Sequence, residues 1–261
     1  MKDGTSKKRP TGSGPSTWIR SMAAWTGMTL ITLALSPFIT LFAPISRPIS
    51  LWITRVWARG LLWSVGAELE VRNESGLDNP PVGAVYVANH QSYLDIVSLI
   101  AGIDCGFKFL AKKTLLFLPG INIVLLGQRH FLVSKSNIIK TLRNIRKKAP
   151  EMLENGENLF VFPEGGRNWD GMPGDFKDGA AATAIWAGAD LVPVAIIGAH
   201  EVLPRGNWPV TTGKIILVVG KPVKTGKLKT RDRKKLTADA KKWISETIEK
   251  TRKEQNRARN K

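Results

Sequence analysis

At 261 residues the chain is long enough for one large domain with a sizeable core, and its single Cys105 excludes an internal disulfide framework. A formal charge of +18 suggests nucleic acid at first, but the excess lies at the ends: residues 1–67 hold eight basic residues against Asp3, residues 221–261 hold sixteen against five acidic, and fifteen of each sign lie between. No helix–turn–helix, zinc-finger or RNA-recognition signature is present, so no nucleic-acid partner is expected and the basic ends point to an anionic phospholipid membrane.

In chain order, residues 1–17 are polar, basic and rich in Gly, Ser and Pro, and read as a disordered tail. No charge occurs from Ser21 to Ser46, a run of 26 residues. At about 1.5 Å per residue a helix of that length spans a bilayer. The run is too long for a signal peptide and has no clear small-residue cleavage site. Basic residues flank it on both sides (Lys7, Lys8, Arg9 and Arg20; then Arg47, Arg55 and Arg59), which draws both ends toward the cytoplasm. Pro37 predicts a kink. A second apolar segment, ISLWITRVWARGLLWSVGA, carries Arg55 and Arg59, each costing about 2.5–3.5 kcal/mol at a bilayer centre. Residues 18–67 are therefore expected to form two membrane-associated helices dipping into one leaflet, with Trp52, Trp57 and Trp63 at the interface. A two-pass hairpin and a pair of soluble core helices are the alternatives.

Residues 68–222 read as an α/β domain. VGAVYVAN, KFLA, NLFVF, LVPVAII and KIILVVG are short strands, with helices over about 93–102, 136–155 and 177–188. Residues 223–261 form a basic amphipathic helix whose stripe is Leu236, Ala240, Trp243, Ile244, Thr247 and Ile248. That stripe is expected to pack on the domain while the lysines stay solvated.

Two strand ends carry the candidate chemistry. Asn89-His90 closes VYVA, and Asp95 follows a turn later. Ligands of open α/β sheets gather at the carboxyl ends of strands, and a histidine there suits general-base work if a carboxylate fixes its tautomer. Ser92-Tyr93-Leu94-Asp95 equally fits a helix start, in which Asp95 only caps orphan N–H groups. The second strand end, Phe162-Pro163-Glu164-Gly165-Gly166-Arg167, places two glycines in a turn and a guanidinium suited to phosphate. Glu164 can bind a hydroxyl or hold the arginine; an exposed turn with a solvated ion pair is the bland alternative. His90, His130 and His200 show no metal-ligand spacing with each other or with Cys105.

Together these stretches resemble the glycerolipid acyltransferase family, which includes the 1-acyl-glycerol-3-phosphate acyltransferases. Its N-H-x-x-x-x-D motif stands as Asn89 to Asp95, and its F-P-E-G-T-R-S motif as Phe162 to Asn168, with Gly166 and Asn168 in place of threonine and serine. The block between aligns at Leu132 to Asn137, with Lys135 for the family arginine, and the V-P-V block at Val192-Pro193-Val194. The resemblance implies a mixed sheet flanked by helices. It also implies acyl transfer from acyl-CoA or acyl carrier protein to a lysophospholipid acceptor at the cytoplasmic face of a membrane, the inner membrane in a bacterium. His90 would be the base and Asp95 its orienting partner. Glu164, Gly165, Arg167 and Lys135 would bind the acceptor. No metal or cofactor is expected, because the thioester is already activated. A transacylase, an acyltransferase for another lysolipid, and a non-catalytic lipid-binding protein are the rival readings.

Overall fold

The computed structural model describes residues 14–134, 138–168, 171–206 and 208–259. Two long helices come first, α1 (Pro15–Phe42) and α2 (Arg47–Ser64). The α/β body follows: β1 (Ala67–Asn73), β2 (Val85–Ala88), α3 (Leu94–Gly102), β3 (Phe107–Lys112), α4 (Ile121–Gly127), β4 (Phe131–Val133), α5 (Ile138–Glu154) and β5 (Asn158–Val161). It closes with α6 (Gly179–Ala187), β6 (Leu191–Ile197), α7 (Ala199–Val202), β7 (Gly213–Val219) and α8 (Arg233–Arg259). The strands make one mixed sheet in the order β1-β7-β6-β2-β5-β3-β4, in which only the β6–β7 pair is antiparallel.

Side-chain alternation divides the central strands between two apolar layers. Tyr86, Ala88, Phe160, Val194 and Leu217 face α1, α2 and α3. Val85, Val87, Leu159 and Leu191 face α5, α6 and the start of α8, while Ala195, Ile197 and Val218 meet Ile244 and Ile248 of α8. A sheet covered on both faces needs strands apolar at every position, which is why LVPVAII is buried throughout. The α8 stripe lies inward as expected, with Ile244 and Ile248 fully buried, and Lys234, Lys235 and Lys242 lie on its exposed side.

The N-terminal helices add three particulars to the expectation. First, α1 begins at Pro15, inside the stretch read as tail, because proline fits the first helical turn; residues 1–13 lie outside the described residues. Second, α1 continues through Pro37 to Phe42. Third, α2 is a component of the fold: Ile53, Trp57, Ala58, Leu61 and Leu62 are buried in the sheet's apolar layer. Trp57 lies inside rather than at an interface, its indole N–H donating to Thr32 Oγ1 at 3.0 Å. Arg55 pairs with Asp104. Among the described residues α1 is the one helix long and apolar enough to cross a bilayer. Its Ile19, Met22, Leu30, Leu33, Phe38 and Leu41 remain exposed, as do Trp52 and Trp63 of α2.

The sheet edges β1 and β4 were not among the expected strands. In β1 the charges of Glu68, Glu70 and Arg72 alternate with apolar residues, the pattern of an edge strand. At the opposite edge His130 lies half-buried just before β4. Its Nδ1 accepts the Phe109 N–H at 3.1 Å, so Nε2 carries the hydrogen and donates to Gln128 Oε1 at 3.2 Å. Burial, reinforced by the nearby Lys108 ammonium, pushes its pKa from the ordinary 6.5 down to about 3.

Between those two values the unfolded chain binds a proton that the folded His130 refuses. The stability associated with it is full above pH 6.5 and drains away as pH falls toward 3. Denaturant unfolding from pH 7.5 to about 4 is therefore expected to show a shallower loss of stability in His130→Asn than in wild type; identical slopes would refute the assignment.

Candidate active site

β2 and β5 are parallel neighbours, so their carboxyl ends open side by side on one edge of the sheet. That adjacency brings His90 and the Glu164–Arg167 turn together although 74 residues separate His90 from Glu164.

Asn89 extends the β2 ladder with its side chain. Its amide nitrogen donates to Ile196 O at 2.8 Å and its amide oxygen accepts the Ile196 N–H at 2.8 Å, so a fully buried carboxamide mimics a backbone pair. The strand is thereby tied to β6 one residue past its end, and His90 is delivered at a fixed height above the sheet.

Asp95, in the first turn of α3, is also fully buried. Its Oδ2 accepts the N–H groups of Gln91 at 2.6 Å and Ser92 at 2.8 Å, and lies 2.8 Å from His90 Nδ1. One oxygen thus serves both the imidazole and the backbone of the turn that leads into α3. An oxygen already receiving two N–H donors acts as an acceptor, so Nδ1 is the third donor. The imidazole is fixed as the Nδ1–H tautomer, and its Nε2 has no hydrogen-bond partner among the described residues. Phe162 stacks on one face of the ring, 4.0 Å away between centroids and inclined by 17°. Its side chain is 16% exposed, so Nε2 belongs to a mostly desolvated but reachable group. An imidazole in this state can take a proton from a hydroxyl brought against it.

Glu164 joins the two motifs. Its Oε1 accepts the His90 N–H at 2.9 Å and its Oε2 accepts from the Asn168 amide, which also donates to Met172 O at 3.0 Å. The Asn168 N–H closes the junction on His90 O at 3.0 Å. Asn168, which the sequence presented only as a lost hydroxyl, is therefore part of the junction. Gly165 has φ +71°, a left-handed conformation that favours glycine, and a Cβ there would stand 2.8 Å from Lys177 Nζ. At Gly166 a Cβ would meet nothing within 4 Å, so the family threonine is absent for no steric reason. Arg167 lies with Cζ 3.6 Å from the centre of the Tyr93 ring, and its carbonyl accepts from Arg205. Lys112 and Lys113 are exposed at the carboxyl end of β3, and Lys135 lies outside the described residues.

Sequence reasoning found His90, Asp95, Glu164, Gly165 and Arg167 but missed Phe162, Tyr93, Lys177 and Arg205 as neighbours. Phe162 and Tyr93 were legible as aromatics within the motifs. Lys177 and Arg205 come from distant loops, and no local pattern marks them.

The comparisons with known proteins fit this geometry. The family model described as Acyltransferase matches residues 69–197, from β1 to β6. A 1-acyl-sn-glycerol-3-phosphate acyltransferase of Pseudomonas aeruginosa is 30% identical over 200 residues, covering 76% of this chain and 73% of its own. The chain belongs to the glycerolipid acyltransferase family. Another member, the chloroplastic 1-acyl-sn-glycerol-3-phosphate acyltransferase of Arabidopsis thaliana, is 30% identical over 188 residues, 72% of this chain and 52% of that relative. This acyltransferase-family chain spans between half and three fifths of the length of the plant and algal relatives (52%, 59% and 58%). The fold agrees with the crystal structure of the 1-acyl-sn-glycerophosphate acyltransferase of Thermotoga maritima, with a TM-score of 0.77 and 22% identity over 91% of this chain and 96% of the other.

Replacing Asn89 by alanine strands the N–H and C=O of Ile196 in the core. Asn89→Ala is expected to lose about 2–4 kcal/mol of stability in denaturant titrations. A loss below about 0.5 kcal/mol, the level of a surface substitution, would show that the carboxamide is not a structural tie.

Proposed function

We propose that the protein is an O-acyltransferase that moves a fatty acyl chain from a thioester, acyl-CoA or acyl carrier protein, to the free hydroxyl of 1-acylglycerol 3-phosphate, giving phosphatidic acid. The observation that carries this reading is the junction itself: an imidazole fixed by Asp95 with Nε2 unengaged, bonded through Glu164 and Asn168 to the turn that bears Arg167. Family membership and the activity for which the relatives are named supply the reaction class.

On this reading His90 Nε2 takes the proton as the acceptor oxygen attacks the thioester carbon. The tetrahedral intermediate then expels the donor thiolate, which takes that proton back from the imidazolium. Asp95 Oδ2 stabilises the transient charge while its two backbone donors keep it in place. Arg167 receives the acceptor's phosphate. Glu164 holds the two motifs together through its contacts with His90 and Asn168, and on this reading it acts on the acceptor through that geometry. Direct transfer is favoured over a cysteine acyl-enzyme, because burial pushes the Cys105 thiol up to about 12 and its neighbour is the Tyr86 hydroxyl beneath the sheet's apolar layer.

The acceptor is a lipid and the thioester donors are cytoplasmic, so the reaction belongs at the cytoplasmic face of a membrane, the inner membrane in a bacterium. The exposed apolar side of α1 and the basic ends suit that position.

His90→Ala is expected to lower turnover by roughly 10²–10⁴-fold, the worth of a general base, with the melting temperature kept. Wild-type-like turnover would defeat the assignment. Arg167→Ala is expected to raise KM for lysophosphatidate by about tenfold or more, given roughly 1.5–3 kcal/mol for a charge-assisted hydrogen bond. An effect confined to KM for the thioester would reverse the role given to the second motif.

A further inference from the structure

Tyr93 precedes α3, and its side chain caps none of that helix's N–H groups. The residue is 55% exposed, so it adds little to the core. The described partner of its ring is the Arg167 guanidinium, whose Cζ lies 3.6 Å from the ring centre, well inside the ~6 Å reach of a cation–π contact.

This choice of partner has a chemical consequence. All five N–H donors of a guanidinium lie in its own plane, so an aromatic face can hold it without using any of them. A carboxylate in the same place would take two donors and cancel the charge. The motif's own carboxylate, Glu164, has its described contacts with His90 and Asn168 instead. Arg167 Nη1 is buried and has no hydrogen-bond partner among the described residues. Buried unpaired donors are rare, and a cationic one on the turn joined to His90 points to an anion as its partner. Arg205 donates to the carbonyl of the same arginine, which pins its backbone and brings a second guanidinium to the turn.

We infer that Tyr93 is a positioning residue that confers preference for a phosphate-bearing acceptor: its ring face holds the Arg167 guanidinium in place without consuming an N–H donor, which keeps the charge for the phosphate monoester of a lysolipid. The inference rests on the acyl-transfer reading for the identity of the acceptor, but on the Tyr93–Arg167 contact for the mechanism of selection. Neither motif required it, since Tyr93 occupies an unassigned position between His90 and Asp95.

The full chain in detergent micelles, as wild type, Tyr93→Ala and Tyr93→Phe, tests it against two acceptors that differ in the phosphate alone, lysophosphatidate and monoacylglycerol. Equilibrium binding and steady-state kinetics are read together. Tyr93→Ala is expected to weaken lysophosphatidate binding and raise its KM by about 3- to 30-fold. Binding of monoacylglycerol, KM for the thioester, kcat and the melting temperature should stay close to wild type. Tyr93→Phe keeps the ring face and should restore wild-type values. Equal losses for both acceptors, no loss for lysophosphatidate, or failure of phenylalanine to rescue would each overturn the inference. If wild type binds lysophosphatidate through Tyr93 yet transfers no acyl group, the proposed reaction falls and the positioning role stands. If it transfers acyl groups while Tyr93→Ala leaves acceptor affinity untouched, the reverse holds.

Discussion

Asp95 Oδ2 receives three N–H donors, from the His90 ring and from the Gln91 and Ser92 backbone, and the geometry of the site depends on that convergence. Those backbone donors lie on the turn between β2 and α3, just before the helix, and bonding to them fixes the carboxylate. Once placed, it dictates the tautomer of the imidazole. One carboxylate thus closes the turn into α3 and polarises the histidine.

The second constraint is topological. Parallel strands β2 and β5 share a ladder, so the residues following Ala88 and Val161 emerge together. Glu164 and Asn168 then bond the two emergent loops into one rigid junction, and Phe162 covers a face of the ring. On the proposed reading this rigidity has a use. The acceptor's phosphate and hydroxyl are separated by a fixed glycerol length, and the groups that meet them must be held at a matching distance. The exposed apolar side of α1 lies on another part of the fold, while the inner face of α2 covers the sheet.

Most of the α/β body was legible because buried parallel strands are apolar at every position and bounded by turn residues; VYVA, NLFVF and LVPVAII carried that signal unaided. The edge strand Ala67–Asn73 escaped because its charges break an apolar run, and Phe131–Val133 because three residues carry no period. The second N-terminal helix was only partly legible, for a physical reason. Its Trp-rich composition suits an interface and a core equally, and only the partner surface, the sheet face with Tyr86 and Phe160, decides between them. In the site, His90, Asp95 and Arg167 were readable as residue types at spaced strand ends. The position of Glu164 between the motifs was not, because a carboxylate in a turn has several partners within reach and sequence does not rank them. Tyr93 and Arg205 acquire meaning only once Arg167 has a location.

The claim on which the account stands is that Asp95 holds the hydrogen of His90 on Nδ1 and leaves Nε2 open. Ring-nitrogen chemical shifts of selectively 15N-labelled histidine, with His90 assigned by substitution and read in its neutral form, report that directly. The account predicts a protonated Nδ1 and a bare Nε2. A hydrogen on Nε2, with Nδ1 bare toward the carboxylate, would contradict it.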